Sequence, residues 1–172
     1  MLNVLRRSSA NRKAAESLAA GIMARARAPV FFRDLGVADS FDGRFDMVSL
    51  HGWLVMERLR EQGARPVSQA LVNVLFEGFE DALREQGAGD IGMGRRMKKI
   101  ADAFYGRLKA YGEAAEAGTI PDALLRNVYR GEAESVRAAG WLADYVLAAR
   151  QRLAEANVAA GDLEFGPLPG SV

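Results

Sequence analysis

His51 is the only histidine in a chain of 172 residues that contains no cysteine. A general base or a proton relay would have to begin there. No serine or carboxylate stands beside it in the order of a known triad, so a structural or surface histidine is the expectation. Asp42 and Asp46 lie one helical turn apart and could share a divalent cation, but acids at a helix start more often answer its positive end. Gly87 to Gly94, GAGDIGMG, contains the string GxGxxG, the phosphate-cradling turn of dinucleotide sites. That chemistry needs a strand before the turn and a helix after it. Here the loop joins two helical patterns and no GK[ST] follows, so glycines that end and restart helices explain it better. The absence of cysteine excludes disulfides, a thiolate zinc site and a cysteine nucleophile, and one histidine excludes a multi-histidine metal site within one chain. Neither a metal nor a cofactor nor catalysis is expected.

Charge is the second candidate chemistry. The formal net charge is +1, yet residues 1 to 33 carry seven Arg/Lys against one Glu, and residues 113 to 172 carry five against nine acids. In the stretch from Arg95 to Tyr111, Met97, Ile100, Ala101, Phe104, Leu108 and Tyr111 share one helical face. Arg95, Arg96, Lys98, Lys99 and Lys109 lie off it, interrupted by Asp102. A basic face of this kind is a solvated surface or a contact for an anionic membrane or ribosomal RNA. Nothing points to DNA. No apolar run approaches the ~20 residues that span a bilayer, and no secretory signal is visible.

The elements that must position these residues are helical throughout. The expectation is a single compact all-α domain of about six helices over residues 11 to 157, with a basic N-terminal arm at 1 to 10 and a flexible C-terminal tail at 158 to 172. Helix one runs from Asn11 to Ala28 and stops at Pro29, and a connector follows whose Phe31 and Phe32 anchor the core. Helix two, Phe41 to Glu61, has Asp39 or Ser40 available as its N-cap. Its Phe45, Val48, Gly52, Val55, Met56 and Leu59 share one face, and Met47, Leu50 and Leu54 the opposite one. A helix apolar on both sides is buried between layers or offers one side to a partner. The second face, with Trp53, is therefore the candidate partner-binding surface. Helix three reaches from Pro66 to about Glu85 and helix four from Arg95 to Tyr111. A short fifth begins at Pro121 with Thr119 and Asp122 as a capping pair, and a sixth, capped by Ser135, fades after Asn157.

Three stretches resemble the ubiquinol-cytochrome c chaperone family: FFRDLGVADSFDGRFDMVSLHGWLVMERLR, GAGDIGMGRRMKKIADAFYGRLKAY and ALLRNVY, in family order between Phe31 and Tyr129. The positions that carry the resemblance are Asp42, Gly43, Arg44, Phe45, His51, Gly92, Gly94, Arg95, Arg96, Phe104, Tyr105, Gly106, Arg107, Asn127 and Tyr129. The resemblance implies an all-α, non-enzymatic assembly factor that binds newly made cytochrome b, or another hydrophobic client, and promotes assembly of ubiquinol-cytochrome c reductase. Mitochondrial members work beside the ribosomal exit tunnel with a second assembly factor. The expectation is a member without their long leader, a bacterial one, cytoplasmic or peripheral at the inner membrane; a eukaryotic one would act in the mitochondrial matrix. The alternatives are a small helical enzyme or nucleotide-binding protein using His51 or the glycine loop, and a membrane-surface or ribosome adaptor.

Overall fold

The computed structural model describes residues 2–87, 89 and 91–170, with side chains from Arg6 onward. Met1, Ser171 and Val172, and Ala88 and Asp90 of the glycine-rich loop, lie outside the described residues. The elements are α1 (Leu2–Ala26), α2 (Pro29–Arg33), α3 (Phe41–Glu61), α4 (Arg65–Glu85), α5 (Met93–Ala117), α6 (Ile120–Asn127) and α7 (Val136–Glu155). Six are helices of two or more turns, α2 is a single turn, and two short 3₁₀ turns complete the chain. No strand occurs among the described residues, so the GxGxxG string sits between α4 and α5 without the sheet a dinucleotide site requires. No helix is long and apolar enough to cross a membrane, again among the described residues.

Local chemistry explains most boundaries. Ser40 caps α3, its hydroxyl accepting from the Gly43 N–H at 3.2 Å, and Asp42 lies in the first turn. Proline opens α2, α4 and α6, where its missing N–H has no helical partner to lose. Thr119 and Ser135 occupy the expected N-cap positions of α6 and α7, but neither side chain makes a capping bond.

Helix α3 is the axis of the molecule, packed by α1, α4, α5 and α7. Both of its apolar faces are therefore core, and Asp46, Ser49 and His51 are buried with them. Gly43 marks how tightly the chain enters this axis. A Cβ there would lie 1.9 Å from the carbonyl oxygen of Ala38, a backbone atom that can yield only if the α2–α3 connector shifts. Gly43→Ala is expected to destabilise by about 2 kcal/mol, read from the urea midpoint at unchanged slope.

Two terminal expectations are corrected. The basic stretch at 1 to 10 is no separate arm, because α1 is continuous from Leu2. The segment after Asn157 is no loose tail. Val158 and Phe165 are buried, Leu163 packs against Gly21, and the Ala159 N–H donates to the Gln62 side chain at 2.8 Å. Arg25 donates to the Gly166 carbonyl at 2.5 Å. Isolated apolar residues among Gly and Pro carry no helical period, but Leu163 and Phe165 find slots that α1 and α3 leave open.

Candidate functional site

Residues of the three motif stretches converge on α3. Asp46 has no solvent exposure, and its carboxylate lies between two arginines. Arg107 of α5 donates Nε to Oδ1 at 2.6 Å, and Arg130, from the α6–α7 connection, brings Nη2 to Oδ2 at 2.7 Å. Burial pushes the Asp46 carboxyl above the usual carboxylate range, and the two guanidiniums pull it back. The Arg107 guanidinium also lies 4.9 Å from the Phe45 ring centroid and donates to the Ala103 carbonyl. Arg130 is the one non-glycine residue with positive φ among the described residues, at 57°. It also donates to the Asn127 carbonyl. A left-handed arginine costs about 1 kcal/mol, and its side chain closes the ion triad.

The same stretches supply further ties. Tyr129 donates its hydroxyl to the Leu35 carbonyl at 2.9 Å, joining the end of α6 to the connector before α3. Asn127 donates to the Ala123 carbonyl within α6. Phe104 is fully buried among Phe76, Phe79 and Tyr105. Asp42 is exposed on the first turn of α3, so it does not face the buried Asp46 across a cation site. No cluster of metal-binding side chains occurs among the described residues.

His51 is fully buried. Its Nδ1 lies 2.7 Å from the Met47 carbonyl and its Nε2 2.8 Å from the Tyr145 hydroxyl. A carbonyl only accepts, so Nδ1 carries the proton and Nε2 accepts from Tyr145. The rings of Phe31, Tyr145 and Phe165 surround the imidazole. Burial pushes His51 down to about 4, with the Arg25 guanidinium adding to the effect. The histidine is thus a neutral connector between α3, α7 and the C-terminal segment, with both nitrogens engaged.

The expected client surface needs correction. Met47, Leu50 and Leu54 are 0–1% exposed and Trp53 only 4%, because α1, α4, α5 and α7 enclose the middle of α3. They form core, not an open groove. Trp53 approaches a surface depression of about 550 Å³, shared with Met56, Leu108 and Gly112, and Leu54 lines a smaller one of about 360 Å³ beside Leu147 and Arg150. The exposed apolar surface lies instead largely on α7, where Val136, Trp141 and Leu147 are about half exposed. Trp141 stands 46% exposed with the Arg137 guanidinium 4.5 Å from its ring centroid. It borders a groove of about 650 Å³ whose apolar wall is Val30, Leu35, Ala148, Pro167 and Leu168. Arg33 and Asp34, paired at 2.8 Å, and Asp144 form its polar rim.

Helical arithmetic alone places Trp141 in the buried arc with Leu142, Tyr145 and Val146. The discriminating signal is its position about 40° beyond Tyr145, at the edge of the arc. Arg95, Arg96, Lys98, Lys99 and Lys109 are all exposed on α5, as the basic-face pattern implies. Tyr105 is half exposed beside Phe76, and Gly94 and Gly106 border open space.

With this geometry in hand, comparison with known proteins is informative. Residues 33–161 match the family model described as ubiquinol-cytochrome C chaperone. The crystal structure of the Cbp3 homolog from Brucella abortus superposes with a TM-score of 0.83 at 35% identity, covering 97% of each chain. Ubiquinol-cytochrome-c reductase complex assembly factor 1 of Xenopus laevis is 22% identical over 120 residues, 67% of this chain and 60% of that protein. The Mus musculus protein of the same description is 23% identical over 146 residues, 80% of this chain and 50% of its own length. The chain thus spans about half to three fifths of the curated relatives it matches. The family model's match over residues 33–161 and the structural agreement over 97% of the chain lead to one conclusion: the chain belongs to the ubiquinol-cytochrome c chaperone family.

Proposed function

We propose that this protein binds newly made cytochrome b and promotes its entry into ubiquinol-cytochrome c reductase, acting by binding and not by catalysis. The observation that carries the reading is Trp141, a half-exposed tryptophan held by Arg137 over an apolar groove, in a member of this family. A membrane-protein client before insertion exposes apolar helices, and helix-in-groove recognition answers them with an apolar wall and a polar rim. A rigid aromatic at the edge of such a groove is the kind of side chain that dominates binding energy. The enzymatic alternative has little support, since the one histidine is sealed in the core with both nitrogens bonded. A client of this kind is made at a membrane, and the protein is accordingly assigned to the cytoplasmic face of the inner membrane.

Trp141 is exposed enough that its replacement should leave the fold intact, which makes the test clean. Cells lacking the protein are expected to lose most assembled cytochrome b, measured by the reduced-minus-oxidised haem spectrum. Wild type restores it. Trp141→Glu is expected to restore less than about a tenth, since loss of a tryptophan anchor commonly costs about 2 kcal/mol or more of binding. Normal cytochrome b in a clean deletion would refute the function, and full rescue by a stably expressed Trp141→Glu would refute the groove.

A further inference from the structure

A separate surface lies at the start of α5. Ile91 is the most exposed large apolar residue among those described, with no part of its side chain covered by the protein. Gly92 follows with φ 92° as the N-cap of α5, and Met93, next in the chain, is buried. The left-handed turn therefore seats Met93 in the core while leaving Ile91 in solvent, so the exposed isoleucine is mounted on an anchored base. Over the next two turns stand Arg95, Arg96, Lys98 and Lys99, all exposed and with no ion pair among the described residues.

This arrangement is unfavourable for the protein alone. The first turn of a helix bears partial positive charge and favours acids, yet α5 has none there and Gly92 makes no side-chain cap. Four cations therefore crowd a positive helix end, and an aliphatic side chain faces water beside them. An anionic bilayer surface relieves both costs at once. Phosphate headgroups meet the cations and the open helix end, and the isoleucine enters the acyl boundary. Ribosomal RNA would satisfy the charges but offers nothing to an isolated aliphatic side chain.

We infer that the Ile91 turn and the adjoining Arg95, Arg96, Lys98 and Lys99 form a peripheral docking site for an anionic lipid bilayer. The site shares no residue with the Trp141 groove, so it stands or falls independently of the client reading.

The test is cosedimentation of the full chain with phosphatidylcholine vesicles, with and without one third phosphatidylglycerol, at low and physiological salt. Binding is expected only to the anionic vesicles and is weaker at the higher salt. Ile91→Ser should reduce it about tenfold, and Arg95→Glu with Lys99→Glu by about tenfold or more. Both variants alter exposed positions, and unchanged thermal unfolding would show that the fold survives. Absence of binding, equal binding to neutral vesicles, or an Ile91→Ser variant that binds like wild type would each overturn the proposal. The last result, joined to tight salt-sensitive binding of ribosomal RNA, would assign the cations to RNA.

Discussion

Asp46→Ala is expected to lower the free energy of unfolding by about 3 kcal/mol, measured by urea denaturation followed through helical circular dichroism. Removing one member of a buried ion pair leaves the other charged and desolvated, and such losses run about 3–5 kcal/mol. Two exposures place this case at the low end. Arg107 is 17% exposed and stays trapped against Phe45 and the Ala103 carbonyl, whereas Arg130 is 47% exposed and can turn to water. Arg130→Ala should cost less than Asp46→Ala, about 1 kcal/mol, because Arg107 remains to pair the buried Asp46 carboxylate and Arg130 is 47% exposed; alanine keeps the left-handed strain, which only glycine would relieve. A loss below about 1 kcal/mol for Asp46→Ala would mean that the triad does not hold α3, α5 and the α6–α7 connection together.

The second large effect is a pH dependence from His51. Its ordinary value is 6.5, and burial pushes it down to about 4 in the folded chain. Between those two values the unfolded chain binds a proton that the folded chain does not. Stability therefore falls as pH falls through this window, by about 1.4 kcal/mol per unit, for a total of about 3 kcal/mol. Above pH 6.5 both states hold the ring neutral and the slope from this residue vanishes. Carboxylates also titrate near the lower end, so the informative quantity is the difference between wild type and His51→Gln across pH 4.5 to 7. The variant should be less stable at neutral pH, since Gln cannot reproduce the bonds to both Met47 and Tyr145, but it should lose the slope. Parallel curves for the two proteins would contradict a neutral buried histidine.

Helix positions were legible in the sequence because period and punctuation agree. Pro29, Pro66 and Pro121 fall at helix starts, and Ser40 caps the helix that opens at Phe41. The family was legible because DGRFD, the histidine-bearing turn and AFYGR are fixed by tight local demands. Gly43 has no room for a Cβ, and Arg107 must reach a carboxylate across the core. What period could not supply was which apolar face meets solvent. Helix α3 is two-sided because four helices enclose it, and only their arrangement tells core from groove. Partners far apart in the chain were hidden for the same reason. Arg107 reaches Asp46 across 61 residues and Tyr145 meets His51 across 94. Trp141 is hard to place from periodicity because the edge of a helical arc looks like its middle when a large apolar residue occupies it.

These observations divide the motif residues by what they touch. Gly43, Phe45, His51, Phe104 and Arg107 tie α3 to its surroundings, Tyr129 ties the end of α6 to the connector before it, and their substitution should act through stability. Asp42, Arg44, Arg95, Arg96, Tyr105 and Gly106 reach the surface, where a partner could meet them without disturbing the core.

The most direct test of the account is photo-crosslinking during synthesis of cytochrome b, with benzoylphenylalanine placed at Trp141 in the groove and, separately, at Leu108 beside Trp53. A strong adduct between the probe at Trp141 and the nascent cytochrome b, with little from Leu108, is the result predicted here. Adducts from Leu108 alone, or none from Trp141 in a protein that still supports assembly, would contradict it.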